Sequence, residues 1–235
     1  MYVKNHRITY YDLDFRGMVK LSAILRMVHI AAEVNANDLG IGFETLHPLG
    51  MSFVLQRFGL KINRMPAYNE TVKIRTWPAE LARGTFLRKG DMYDAAGKKI
   101  MEWASLWILF DINSRKILKP SALPCEIPTV DVAVDVAPEK VPQSIEGGTK
   151  HIHTVRYADV DTNMHMNNSI YGDLIGNAVF TELDEHAFKW KEVQINYLGE
   201  TRAGEEIEIT YDSDRGIVLG EIVGQGRLSF AAQVR

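Results

Sequence analysis

The sequence predicts an α+β protein made of two copies of one unit, each a buried helix wrapped by an antiparallel β-sheet. Three observations carry this. The chain repeats itself on either side of a proline-rich break: Tyr10-Tyr11-Asp12-Leu13-Asp14 resembles Arg156-Tyr157-Ala158-Asp159-Val160-Asp161, and Lys61 to Ile74 resembles Gln194 to Ile209 with a small gap. A helical run follows the first string of each half, Leu21 to Leu39 and Ser169 to Leu183. β-prone runs separated by short turns then follow each helix.

The first helix carries apolar residues at Ile24, Leu25, Met27, Val28, Ile30, Ala31, Ala32 and Val34 and stops at Gly40. That is more than one stripe, so the helix is expected to be buried on most sides. Strands are expected over Thr71 to Trp77, Thr85 to Tyr93 and Ile100 to Ile112, with turns at Asp94 to Gly97 and Asp111 to Ser114. Five of the eight prolines lie between Pro120 and Pro142, around the alternating run Val130 to Val136. This reads as an extended linker with one short edge strand. The organisation predicted is a first domain over 1–128, a linker over 129–150 and a second domain over 151–235. The second helix is rich in small residues, Gly172, Gly176 and Ala178, which let other backbone approach closely. Strands should follow at Glu206 to Tyr211, Gly216 to Val223 and Leu228 to Val234.

A chain of 235 residues with net charge -3 is not a dedicated nucleic-acid binder, although a local basic patch can still meet an acidic protein partner. No stretch is apolar and long enough to span a bilayer, and no secretory h-region is visible at the start. The single cysteine, Cys125, excludes an internal disulfide and fits a reducing cytosol, so a cytoplasmic location is expected.

The densest chemistry is Asp161-Thr-Asn163-Met-His165-Met-Asn167-Asn168-Ser-Ile-Tyr171, just before the apolar run Ile170 to Val179. A carboxylate, three carboxamides and an imidazole at a helix start suit a small reaction centre. Side chains there can hold and activate a water, and free N–H groups near Asn167 and Asn168 can receive a developing oxyanion. Capping by Asn168 or Ser169 explains one or two of these residues, but not Asp161, Asn163 and His165 together. His151 and His153 imitate a metal pair, yet no further ligands at metal spacing accompany them, and neither metal nor cofactor is expected.

The string Asp-x-Asn-x-His-x-Asn-Asn-x-x-Tyr, with Arg64-Met-Pro66, Thr76-Trp77 and Trp103-Ala-Ser-Leu-Trp107 in the first half, resembles the acyl-carrier-protein (ACP) thioesterases, the plant-type fatty-acyl-ACP hydrolases and their bacterial relatives. The resemblance covers nearly all of the chain. It implies two tandem hotdog domains and hydrolysis of fatty acyl-ACP, which ends fatty acid synthesis. By motif match it assigns catalysis to Asp161, Asn163 and His165, and it adds Glu200 from Tyr197-Leu-Gly-Glu200. Plant members carry a cysteine directly after that glutamate, where this chain has Thr201, which argues against a thiol nucleophile. The resemblance also places the acyl chain in the N-terminal half. Met27, Ile30, Phe53 and Trp103 are then candidate lining residues, with Asn167, Asn168 and Tyr171 near the reacting end.

Thioester hydrolysis needs an activated water and an oxyanion site more than it needs a strong acid, because a thiol with a pKa of roughly 8.5 leaves readily. Asp161 and Glu200 are assigned to the water, His165 to polarisation or proton relay, and Asn163 to holding the water or carbonyl oxygen. If the two carboxylates lie together, one is expected to become more basic. The register places Arg16 and Met18 where the second half has Asn163 and His165, so the first half is expected to shape the acyl pocket without catalysing. The expected partner is acyl carrier protein, through a rim such as Lys150, Arg156, Lys189, Lys191 and Arg202. The expected assembly is a monomer or homodimer, since two hotdogs in one chain pair internally. An acyl-CoA thioesterase and a non-catalytic acyl-binding module are the alternatives.

Overall fold

The computed structural model describes residues 1–80, 84–180 and 190–235. The first half runs β1 (Tyr2–Arg7), α1 (Leu21–Asp38), a short α2 (Phe43–Leu46), β2 (Met51–Ile62), β3 (Thr71–Pro78), β4 (Phe86–Tyr93), β5 (Lys99–Asp111) and β6 (Lys116–Leu118). The second runs β7 (Thr149–Thr154), α3 (Ile170–Val179), β8 (Glu192–Tyr197), β9 (Glu206–Asp212), β10 (Ile217–Ile222) and β11 (Arg227–Val234).

All of these strands join one antiparallel sheet, in the order β1-β3-β4-β5-β2-β8-β11-β10-β9-β7, with β6 beside β5. Read outward from the centre, each half has the same sequence of neighbours. The halves meet where β2 pairs with β8, with Arg57 opposite Asn196, Phe58 opposite Ile195 and Gly59 opposite Gln194. Each of these strands would be an open edge in an isolated half, and each closes the other.

The helices α1 and α3 pack with the sheet in one shared core. Ile24, Leu25 and Val28 of α1 pack in the same cluster as Leu174 and Ile175 of α3, Phe58 of β2 and Phe230 of β11. The crossing of α1 and α3 explains one of the small residues: a Cβ on Gly172 would stand 2.6 Å from the Ser22 backbone nitrogen. Ser22 Oγ also donates to Asp173 Oδ1 across the crossing. Gly176 meets nothing within 4 Å and serves no such approach. The predicted second helix is found as far as Val179. Leu183 and the rim candidate Lys189 lie outside the described residues.

The predicted strands become β3, β4, β5, β9, β10 and β11. β1 and most of β2 fall outside the predicted runs. In β1 the alternation pairs Tyr2, Lys4 and His6 as the half-buried side, which gives little apolar contrast. The linker differs from expectation. Val130 to Val136 forms no strand, and β7 begins at Thr149. The extended chain is held instead by side-chain amides projecting from β8. Gln194 donates to Ala137 O at 3.0 Å and accepts from Glu139 N–H at 2.9 Å. Asn196 accepts from Val141 N–H at 3.0 Å and donates to Glu139 O at 2.8 Å. These two buried amides imitate a neighbouring strand, so the linker needs no ladder of its own.

The crossing yields a paired prediction. Gly172→Ala should destabilise the protein by about 1–3 kcal/mol, because its Cβ meets backbone that cannot swing aside. Gly176→Ala should stabilise it by about 0.5–1 kcal/mol through helix propensity. Urea unfolding midpoints of both variants check the sign of each.

Candidate active site

Each half carries the same loop ahead of its helix. In the first, Asp14 N donates to Met18 O at 2.8 Å and Gly17 N to Asp14 O at 3.0 Å. In the second, Asp161 N donates to His165 O and Met164 N to Asp161 O, both at 3.0 Å. Isolated bridges, Leu13 with Val19 and Val160 with Met166, close the two loops. The left-handed position falls on Gly17 (φ 77°) in one and Met164 (φ 64°) in the other. A non-glycine residue there is uncommon, and the surrounding loop bonds hold it. Arg16 therefore stands opposite Asn163, and Met18 opposite His165. A His–Asp pair lies beneath each loop: His153 Nε2 is 3.1 Å from Asp159 Oδ2, and His6 Nε2 is 3.6 Å from Asp12 Oδ2. Among the described residues no group of three or more His, Cys, Asp or Glu is arranged to hold a metal.

The side chains separate the two loops. Arg16 bonds Asp14 Oδ2 through Nε at 3.1 Å and Nη2 at 2.7 Å, and its guanidinium lies 4.1 Å over the Phe180 ring. Burial pushes the Asp14 carboxyl upward. The Arg16 side chain and the N–H groups of Met18 and Arg16 outweigh it and hold Asp14 below its ordinary value of 3.8. This loop is filled by its own ion pair.

In the second loop Asp161 Oδ1 accepts from Asn163 N at 2.8 Å. Asp161, Asn163, Asn167 and Asn168 are part of the lining of a cavity of about 880 Å³. The first half supplies more of the lining: Arg26, His29, Ile30 and Glu33 from one face of α1, Phe53 from β2, Arg88 from β4 and Trp107 from β5. The segment after β6 completes it with Leu123, Cys125 and Ile127. Loop and helix from opposite halves thus make one site.

Ile30 and Phe53 line this cavity, whereas Met27, Trp103 and Tyr171 do not. Met27 is 5% exposed and faces the core, because α1 turns residues 26, 29, 30 and 33 toward the cavity. Trp103 is buried beneath Gly90, where a Cβ would stand 2.2 Å from Trp103 Cζ2. Tyr171 is buried with its hydroxyl 3.1 Å from Ser229 Oγ.

Several wall residues have no motif to mark them. His29 stands edge-on to Phe58 and Trp107, its Nε2 has no partner among the described residues, and burial pushes its pKa down to about 4. It is neutral at physiological pH. Arg88 donates from Nη1 to Asn35 Oδ1 at 2.9 Å and Thr76 Oγ1 at 3.2 Å, with burial pushing its pKa down to about 10.

His165 Nε2 lies 3.2 Å from Glu200 Oε2. The backbone arranges this meeting. Met166 N donates to Thr201 O at 2.7 Å, and the buried Thr201 Oγ1 is 2.6 Å from Ser229 Oγ. The position expected to decide against a thiol nucleophile thus fastens the catalytic-loop candidate to the segment carrying Glu200. Glu200 Oε2 also receives Arg115 Nη2 at 2.9 Å, so the partners holding Glu200 are a cation and an imidazole, not a second carboxylate. Neither His165 nor Glu200 is part of the cavity lining proper.

The helix start differs in detail from expectation. Asn167 Oδ1 accepts from Ser169 N at 2.9 Å and Ser169 Oγ at 2.8 Å, so Asn167 braces the turn ahead of the helix, and neither Asn168 nor Ser169 gives it a side-chain cap. The Asn167 N–H is engaged by Asp159 O at 2.8 Å. The Asn168 N–H has no partner among the described residues.

A strand order repeated about a central join, with one long helix per half, defines the tandem hotdog class. Sequence families agree: the acyl-ACP thioesterase N-terminal domain matches residues 1–122 and the C-terminal domain matches residues 143–225. The chain belongs to the acyl-ACP thioesterase family. It is 28% identical over 183 residues to the chloroplastic acyl-(acyl-carrier-protein) hydrolase FATB2 of Cuphea viscosissima, covering 72% of this chain and 44% of that protein. It is 27% identical over 182 residues to the chloroplastic dodecanoyl-(acyl-carrier-protein) hydrolase of Cinnamomum camphora, covering 70% and 47%. The chain therefore spans about half the length of the curated relatives it matches. Among solved structures it resembles an acyl-ACP thioesterase from Bacteroides thetaiotaomicron, with TM-score 0.88, 21% identity and coverage of 99% and 96%. It also resembles the 12:0-ACP thioesterase from Umbellularia californica, with TM-score 0.78, 19% identity and coverage of 100% and 96%. These structures share its fold.

Two outcomes follow from this geometry. Asp14→Asn should lower stability at neutral pH. The folded carboxyl titrates below 3.8, so its contribution is present above that value and lost as pH falls through the folded value. The variant and parent should converge in acid, as followed by denaturant unfolding from pH 7 to pH 3. Thr201→Val should cost about 0.5–1.5 kcal/mol by removing one of the two hydroxyl partners of Ser229, read from the same unfolding curves at pH 7.

Proposed function

We propose that the chain hydrolyses the thioester between a fatty acyl group and acyl carrier protein, releasing the free acid. One observation carries this reading. The polar loop of Asp161 and Asn163 and the first half's helix α1 line one cavity of about 880 Å³, which suits a reacting group beside a chain-binding surface. Family membership supports the same reaction.

The acyl chain lies along α1 beside Ile30 and Phe53, with its thioester at the Asn163–Asn168 end. Asp161 and Asn163 hold a water there. The water oxygen attacks the carbonyl carbon, and its proton passes through His165 to Glu200, the pair at 3.2 Å. The free N–H of Asn168 and the Asn163 amide receive the carbonyl oxygen as it becomes negative. The C–S bond then breaks, and the leaving pantetheine sulfur takes that proton back from Glu200 through His165. The loop filled by Arg16 and Asp14 takes no part in the chemistry. One chain supplies both sides of the cavity, so a monomer carries a complete site. No helix among the described residues is long and apolar enough to cross a membrane.

The test is turnover on matched acyl-ACP and acyl-CoA substrates. The parent should favour acyl-ACP in kcat/KM. Asp161→Ala and His165→Ala should each lower kcat by about 10²–10⁴-fold while keeping the parent Tm. A parent inactive on both substrates across acyl lengths sinks the hydrolase reading in favour of acyl binding.

A further inference from the structure

We propose that Arg115, from the first half, is a positioning residue for the second half's reaction centre. This rests on the reading of Glu200 and His165 as catalytic. Arg115 sits in the turn between β5 and β6, at φ 56°, with its guanidinium carbon 5.9 Å from the Phe110 ring centre. Its Nη2 donates to Glu200 Oε2 at 2.9 Å, the same oxygen that faces His165 Nε2 at 3.2 Å.

Topology makes this reach possible. β5 and β8 both pair antiparallel with β2, so they run in the same direction and end at the same border of the sheet. Met51 at the start of β2 pairs with Asp111 at the end of β5, while β8 leaves the sheet at Tyr197. The β5–β6 turn therefore overhangs the segment carrying Glu200. That segment is otherwise fixed through its backbone, by Arg227 Nη2 donating to Glu200 O at 2.9 Å. Arg115 fixes the carboxylate itself.

Stability does not account for the pair. The side chains are 59% and 36% exposed, and solvent screens such surface pairs so that they add little to folding. Its consequence is directional. With Oε2 shared between guanidinium and imidazole, the carboxylate plane and the His165 ring are held in one relation, and a small misplacement in a proton-transfer chain is costly to rate.

Steady-state kinetics on acyl-ACP with Arg115→Ala, Arg115→Lys, Glu200→Gln and the Arg115→Ala/Glu200→Gln double variant test this. Arg115→Ala should lower kcat about tenfold with KM within about twofold and Tm within about 2 °C. Arg115→Lys should recover part of that loss, since a point charge replaces the fork. The double variant should be no slower than Glu200→Gln alone, because the two act as one unit. Full activity in Glu200→Gln overturns the catalytic reading and this inference with it. An impaired Glu200→Gln beside an unimpaired Arg115→Ala overturns the inference alone. So does a rise in KM without loss of kcat, or a loss that multiplies in the double variant, since either assigns Arg115 to carrier contact or to an independent role.

Discussion

The pairing of β2 with β8 is the constraint on which the rest of this structure depends. It joins two half-sheets into one, from Arg57 opposite Asn196 to Lys61 opposite Glu192. It fixes how α1 and α3 cross, because each helix rides on its own half of the sheet. It also sets the Asp161 loop of the second half against α1 of the first. Sliding β8 by one residue along β2 would turn Ile195 out of the helix-facing core and bring the amides of Gln194 and Asn196 into it.

Within this frame the two loops show how one backbone supports two outcomes. The backbone bonds within the loops recur from one to the other, down to Lys20 N with Asp12 O at 2.9 Å and Asn167 N with Asp159 O at 2.8 Å. The difference lies in a few side chains. Arg16 answers Asp14 locally and packs on Phe180, so its charge is spent within the loop. Asn163 leaves Asp161 facing the cavity. The side chains of the two loops diverge while their backbone stays alike.

Much of this was legible in the sequence, for identifiable reasons. The repeat gave the architecture, because the Asp14 and Asp161 strings recur at matched distances from a helix. Gly172 pointed to close helix approach, and the structure supplies its partner in Ser22. The lining residues were less legible. Met27 and Ile30 are both apolar on one helix, and only the direction of the cavity separates them. Trp103 and Trp107 share a strand face, and the sequence contains nothing to say which lies under Gly90. His29, Arg88 and Arg115 carry no local motif at all; each matters through what folds against it from far along the chain. The linker misled because alternation of Val and Asp is a strand signal, and the amides that replace its ladder lie more than fifty residues away on β8.

The central position of β2 has a consequence for the nascent chain. The ribosome completes the first half well before β8 begins at Glu192. Through that interval β2 presents bare amide and carbonyl groups beside an apolar face, a surface that any passing strand can adopt. Lys61 and Arg57 on this border supply charge that discourages such company. Synthesis of this protein thus contains a vulnerable window whose length is set by the chain separating two strands that end as neighbours.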